Sequence, residues 1–344
     1  MIDREHMQPR RAVVPALGVA VLVAVGATAW YVLRADDSPV RGDLIAYSCK
    51  EPGNTWYAIC VMKSDGSEKQ RMTSRLTTTN PAWSPDGRRI AFTRNEDVGE
   101  STTFTDDDVF VMDADGDDPR QLTAEQDGRS SGQPTWSPDG GEIAFVRGQS
   151  VASIVPSRFG GLFVMRADGS DVRRLTPDPR GSADTSPAWS PDGREIAFTR
   201  GENLSSFTRV NMDIYVVDPE GGAPRRLTRT AHIFETTPAW SPDGSRIAFT
   251  RSTTQTEFDG KAAIYVMNRD GTGERLVLAH HFTSDPYSLT WSPDGQTIAF
   301  ETSPALECTA IHQVDVASGR VRPVTSCTRK RDSALSPSWQ PLRR

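Results

Sequence analysis

Along most of the chain, short apolar runs are bounded by Gly, Pro, Asp and Ser, the punctuation expected of strands. Ile90-Ala91-Phe92 and Val109-Phe110-Val111-Met112 are typical. Between the tryptophans of this region no segment carries apolar residues at the i, i+3, i+4 spacing of an amphipathic helix, which excludes a helical solenoid. The long exception lies near the N-terminus, where Ala12 to Leu33 are 22 residues without a charge. A hydrocarbon core of about 30 Å needs roughly 20 helical residues, so this run is long enough to span one.

The short runs recur in step. Trp-Ser-Pro-Asp-Gly occurs five times, from Trp83, Trp136, Trp189, Trp240 and Trp291, and Ser338-Trp339-Gln340-Pro341 is a degenerate sixth copy. The steps between these tryptophans are 53, 53, 51, 51 and 48 residues, a period that marks a solenoid, an array or a propeller. Within one copy, Pro85 presets φ, Asp86 hydrogen-bonds locally and Gly87 supplies a positive φ, so the chain reverses after a strand ending at Trp83. Arg88 to Arg94 reads as a strand of alternating character, Asp108 to Met112 as a third strand, and Pro119 to Thr123 as a short fourth behind the turn Ala114-Asp115-Gly116. Four antiparallel strands joined by short turns form a propeller blade.

The first blade begins at its second strand, Asp43 to Ser48, and continues with a third, Tyr57 to Met62. Ser336 to Pro341 is an orphan innermost strand, so the two ends of the region are expected to close the ring and remove its open edges. One innermost strand for each of Trp83, Trp136, Trp189, Trp240, Trp291 and Trp339 gives an all-β, six-bladed propeller over residues 42–341. The tryptophans are read as core anchors.

Trp-Ser-Pro-Asp-Gly followed by Ile-Ala-Phe, Ile-Tyr-Val-Met and Arg-Arg-Leu-Thr closely resembles the TolB-type propeller repeat, a relative of the WD40 repeat, over residues 42–341. The resemblance implies that fold and an extracytoplasmic binding platform. TolB proteins are periplasmic and carry an α/β domain ahead of the propeller; here an apolar run stands in its place.

That run divides the N-terminal part into a cytoplasmic tail (1–11), a transmembrane anchor (12–33) and a linker (34–41). Arg10 and Arg11 before it keep the N-terminus in the cytoplasm and put the propeller outside. The alternative is a signal peptide cleaved near Ala27-Thr28-Ala29, which exports the same domain. An exported chain favours disulfides. Cys49 and Cys60 are symmetric about one hairpin and Cys308 and Cys327 about another, so these pairs are expected.

The formal charge of −6, with Lys and Arg dispersed, argues against nucleic acid. Asp106 to Asp118 lacks the Gly and Glu positions of an EF-hand loop, and no cysteine pair has zinc spacing. His232, His280 and His281 fall in consecutive loops near Glu235 and are read as solvated rather than metal-binding, with His312 apart from them. No Gly-x-Ser-x-Gly or His-Glu-x-x-His motif is present, and the chain stops at Arg344, soon after the last repeat.

The expectation is therefore a membrane-tethered platform that catalyses nothing, needs no cofactor and docks an envelope protein or peptide, its oligomeric state left open. The alternatives are a metal-dependent polysaccharide lyase or hydrolase, and a sensor acting with a separate partner. Arg94, Arg147, Arg200 and Arg251 end second strands and are expected to pair with acids opening the third, such as Asp108 and Asp213. Tight turns occupy one end of each blade and long, dissimilar loops the other, where binding residues tend to sit. The expected docking face is the long-loop one, with Phe104, Arg158, Phe159, Phe207, Arg209, His232, Phe234, Glu235, Phe258, His281, Phe282 and Tyr287.

Overall fold

The computed structural model describes residues 42–50, 56–74, 76–95, 107–124, 129–149, 160–177, 182–202, 211–230, 233–252, 262–279, 287–305, 308–326 and 333–342. Among them every regular element is a β-strand. The tail, anchor and linker expected over 1–41 lie outside the described residues.

The strands pair in antiparallel meanders. One is β4 (Thr77–Trp83), β5 (Arg89–Asn95), β6 (Asp107–Asp113) and β7 (Arg120–Gln121). The next is β8 (Arg129–Trp136), β9 (Glu142–Gln149), β10 (Gly161–Arg166) and β11 (Arg173–Arg174). β12 (Ala183–Trp189), β13 (Ile196–Glu202), β14 (Asn211–Val217) and β15 (Arg225–Arg226) follow. Then come β16 (Phe234–Trp240), β17 (Arg246–Ser252), β18 (Ala262–Asn268) and β19 (Arg275–Ala279). β20 (Tyr287–Trp291), β21 (Thr297–Ala305), β22 (Cys308–Asp315) and β23 (Val321–Pro323) precede β24 (Ser333–Trp339).

β24 does not extend that meander as a fifth strand. It pairs antiparallel with β1 (Leu44–Lys50), which leads to β2 (Ala58–Lys63) and β3 (Gln70–Arg71). The far end of the chain thus supplies the innermost strand missing from the first blade. Around this junction Trp339 Nε1 donates to the Gly42 carbonyl at 2.8 Å, and the Gln340 amide to the Leu44 carbonyl at 2.8 Å. The Cys49–Cys60 disulfide ties β1 to β2 with a Cα separation of 5.8 Å. Cys308 is also disulfide-bonded, while Cys327 lies outside the described residues.

The repeated residues have local reasons. In each Ser-Pro-Asp-Gly turn the Ser hydroxyl donates to the Asp carboxylate and accepts a backbone N–H: Ser241 Oγ lies 2.6 Å from Asp243 Oδ1 and 3.0 Å from the Arg246 nitrogen. That hydroxyl hydrogen bond, aided by the Ser245 N–H, holds the Asp243 carboxyl down at about 2. In the Leu-Thr pairs the threonine accepts a third-strand N–H, as Thr123 does from Val109 (2.9 Å) and Thr228 from Ile214 (3.0 Å). Those bonds terminate the short, arginine-bearing outer strands, whose charge blunts an otherwise open edge.

The second strand of each blade departs from the expected polar–apolar alternation. Ile90, Ala91 and Phe92 are all buried, as are Ile143-Ala144-Phe145 and Ile196-Ala197-Phe198. A blade is covered on both faces by its neighbours, so its central strand must be apolar on both. What alternates is size. Ala91, Val109 and Val111 of one meander form a core with Trp136, Ile143, Phe145 and Met165 of the next, and Ala197, Ile214 and Val216 do so with Trp240, Ile247, Phe249 and Met267.

The repeat tryptophans anchor these interfaces and also bond across them. The indole N–H donates to the carbonyl of the alanine preceding the previous tryptophan in Trp136→Ala82 (3.1 Å), Trp240→Ala188 (3.1 Å) and Trp291→Ala239 (3.0 Å). The indole nitrogens of Trp83 and Trp189 are buried without an acceptor. Trp291→Phe should therefore cost about 1–3 kcal/mol by leaving the Ala239 carbonyl unmatched, whereas Trp189→Phe should cost clearly less. Denaturant melts of the two variants check this, and equal losses would refute it.

Candidate functional site

A small cavity on the propeller axis brings the inner strands together. It has a volume of ≈ 160 Å³ and is lined by Asn80-Pro81, Gln133-Pro134, Ser186-Pro187, Thr237-Pro238, Ser288-Leu289 and Ser336-Pro337. The first member of each pair has a positive φ, between 50 and 54°, which is uncommon for any non-glycine residue and disfavoured before proline. Each sits at a register shift in its strand, a bulge that turns the strand about the axis. A polar residue three before each tryptophan was the sequence signal for this ring, and sequence reasoning missed it.

These bulges are held by the preceding blade. The Gln133 amide donates to Thr93 Oγ1 (3.1 Å) and the Thr237 amide to Thr199 Oγ1 (3.2 Å). Val146 has no hydroxyl to offer at the equivalent place, and the Ser186 amide donates instead to Gln133 Oε1 at 2.8 Å. At the closing strand the acceptor is a carboxylate: the Ser336 amide donates to Glu301 Oε2. Glu301 is 8% exposed, and burial pushes its pKa up to about 7 against the opposing pull of that amide.

The long-loop ends of the blades carry a row of arginines stacked on aromatic rings. Arg94 lies over Phe110 (4.6 Å to the ring centroid), Arg147 over Phe163 (5.7 Å), Arg200 over Tyr215 (5.2 Å) and Arg251 over Tyr265 (4.4 Å). For Arg200 and Arg251 the polar partners correct the expectation from sequence. Arg200 is held by Asp184 of the first strand through two hydrogen bonds, 2.6 and 2.7 Å, and Arg251 Nε reaches Glu235 at 2.6 Å. The third-strand acids are engaged from the other side: Asp213 by Arg226 (2.6 Å), and Asp108 by Gln121 (2.8 Å) and Thr123 (2.7 Å). Asp213 is fully buried, and burial raises its pKa despite Arg226. Removing one partner of such a buried pair costs ~3–5 kcal/mol.

Of the residues expected on the docking face, Phe234 is half-buried at the start of β16 and Tyr287 opens β20. Glu235 is fully buried against Arg251 and Thr230, so it positions that arginine rather than meeting a partner. Phe104, Arg158, Phe159, Phe207, Arg209, His232, Phe258, His281 and Phe282 lie outside the described residues. Among the described residues no three or more of His, Cys, Asp and Glu are arranged to hold a metal. His312 stacks on Phe300 at 5.9 Å, its Nδ1 3.3 Å from Thr302 Oγ1. An open cleft of ≈ 740 Å³ lies at the opposite, short-turn end, lined in part by Glu195, Arg225 and Arg269. There Arg269 bridges Asp192 (2.6 Å) and Glu195 (2.8 Å) of the neighbouring blade, and its hydrogen bond holds the Asp192 carboxyl well below the usual range.

The family model for the TolB beta propeller domain matches residues 42–205 and 200–342. The chain belongs to that family. Among solved structures, TolB from Acinetobacter baumannii superposes with a TM-score of 0.65 at 19% identity, over 87% of this chain and 67% of that one. Among relatives by sequence, the Tol-Pal system protein TolB of Anaeromyxobacter dehalogenans (strain 2CP-C) is 30% identical over 180 residues, 46% of this chain and 36% of its own. The uncharacterized peptidase YuxL of Bacillus subtilis is 27% identical over 226 residues, 57% of this chain and 33% of its own. Dipeptidyl-peptidase 5 of Porphyromonas gingivalis is 26% identical over 140 residues, 40% of this chain and 20% of its own. The chain thus spans about a third or less of the peptidases it matches. These two relatives overturn the expectation that the chain catalyses nothing, because named peptidases are among the proteins it is similar to.

The buried Glu301 sets a pH dependence. The unfolded chain releases this proton near the ordinary glutamate value of 4.5 and the folded one near 7, so stability falls as pH rises through that window and is flat above it. The full effect is on the order of 3 kcal/mol. Glu301→Gln keeps an acceptor for the Ser336 amide and should gain stability over wild type at pH 8 but little at pH 4.5. Denaturant midpoints at both pH values check this; an equal difference at the two would contradict it.

Proposed function

We propose that residues 42–341 form a six-bladed TolB-type propeller outside the cytoplasm, tethered through 12–33, whose long-loop face receives a polypeptide of the cell envelope. The observation that carries this reading is the asymmetry between the two ends of the blades. One end is closed by Ser-Pro-Asp-Gly and Asp-Gly turns whose polar groups satisfy one another. The other holds a row of arginines over aromatic rings, at the ends of strands that the sequence joins by long, dissimilar segments. Aromatics and arginines on a rigid frame are the residues that dominate binding hot spots.

The names of the relatives lead to the same ligand class. A peptidase acts on polypeptide, and a Tol-Pal system protein works within a set of proteins. Polypeptide recognition is common to both, whether the bound chain is then cleaved or only held. The uncharged run 12–33 with Arg10-Arg11 before it supports the tether and its orientation.

Two sets of substitutions in the full chain test the face: Phe159→Ala, Phe207→Ala and Phe258→Ala among the loops, and Arg88→Glu, Arg194→Glu and Ser245→Arg at the turns. With thermal stability unchanged, the loop set should lower capture of the membrane-derived partner at least tenfold and the turn set less than twofold. The reverse pattern would refute the assignment of faces.

A further inference from the structure

One outer strand breaks a rule that the others keep. β3, β7, β11, β15 and β23 are two or three residues long, whereas β19 has five. The short ones stop at a threonine whose hydroxyl accepts a third-strand N–H. Thr73 accepts from Ile59, Thr123 from Val109, Thr176 from Leu162, Thr228 from Ile214 and Thr325 from Ile311, at 2.8–3.1 Å. Such a hydroxyl competes with the backbone carbonyl that would otherwise extend the ladder. In the remaining meander that place belongs to Leu278, which has no hydroxyl. There the ladder runs on, with Ile264 opposite Leu278 and Ala263 opposite Ala279.

The side chains change with the length. Opposite the matching third-strand residue the other outer strands carry Arg71, Gln121, Arg174, Arg226 and Pro323, and β19 carries Leu276. Short length, charge and proline are the usual means of blunting an open edge, and at this position β19 has none of them. Leu276 is 46% exposed and Ala279 is exposed as well. A register shift between Ile264 and Tyr265 leaves Val277 out of step, and its side chain is buried with Val316 of the next meander, which anchors the strand. Among the described residues β19 ends its sheet, paired with β18 on one side. Its one charge is the exposed Arg275, whose Nη1 donates to the Val316 carbonyl at 3.1 Å. The adjoining acid, Glu274, is engaged by Arg251 at 2.7 Å.

We propose that β19 is a docking edge for an extended polypeptide, which adds an antiparallel strand to the sheet and places an acidic residue beside Arg275 and uncharged residues along Leu276 to Ala279. A row of backbone donors and acceptors recognises another backbone, and alternate side chains supply the selectivity. Charge decides between occupants. A second copy of the chain paired antiparallel about Val277 would set Arg275 against Ala279, and a parallel copy would set Arg275 against itself, so neither supplies the acid. The edge belongs to the outermost strand of its meander, apart from the long-loop face, so docking here does not rest on docking there.

The test uses the full chain and three labelled hexapeptides blocked at both ends: alternating threonine and valine closed by glutamate, the same closed by lysine, and the glutamate peptide N-methylated at every residue. Fluorescence anisotropy should show saturable binding of the glutamate peptide, at least tenfold weaker binding of the lysine peptide and none of the N-methylated one. Leu276→Arg with Leu278→Thr gives β19 the residues that other outer strands carry. This double variant should lose at least tenfold in binding with its melting temperature unchanged, and Arg275→Glu should reverse the preference between glutamate and lysine. The proposal is overturned if the glutamate peptide does not bind saturably, if the N-methylated peptide binds equally well, or if the double variant binds as wild type does. Equal binding of the glutamate and lysine peptides would remove the acid-bearing partner. A wild-type dimer in sedimentation equilibrium that the double variant converts to monomer would give the edge to a second copy instead.

Discussion

A four-stranded meander has two apolar faces and cannot cover either of them alone. Blades here present alanine and branched third-strand residues on one face, and tryptophan, isoleucine and phenylalanine, with methionine in several, on the other. The large face of one blade fills the small face of its neighbour, so the stable unit is the closed ring and not the blade. Everything else depends on that closure. The open place left at β1 has to be filled by β24, and the chain spends a disulfide, an indole hydrogen bond and a buried carboxylate around that junction. Interfaces built from many such contacts are close-packed, and a close-packed ring can hold charged side chains in fixed positions at one end.

Much of the fold was legible because the repeat writes its own turns. Trp-Ser-Pro-Asp-Gly fixes a strand end and a reversal, and five unchanged copies leave little freedom in where the strands lie. The missing first strand and the orphan last one implied the closure seen between β1 and β24. Strand composition was read less well. The strand Arg88 to Arg94 was read as alternating in character, yet Ile90, Ala91 and Phe92 are all buried. Only packing against two neighbours shows that small and large, not polar and apolar, is the relevant contrast.

The site was less legible for a related reason. The rim arginines were noticed, but their partners were placed on the third strand, since Asp108 and Asp213 lie opposite them in register. In the molecule Asp213 turns to the outer strand, and the first strand supplies Asp184 to Arg200 and Glu235 to Arg251. Backbone register fixes which residues are adjacent and does not fix which way long side chains turn. Glu235 was for the same reason placed on the docking face when it belongs beneath it.

The central claim is that polypeptide meets the long-loop end of the ring. Photo-crosslinking residues placed singly at Arg129 and Arg229 on that end, and at Arg88 and Ser245 on the short-turn end, address it in the full chain. All four positions are exposed. Adducts to a polypeptide are expected from Arg129 or Arg229 and not from Arg88 or Ser245. Adducts confined to Arg88 and Ser245 would contradict it.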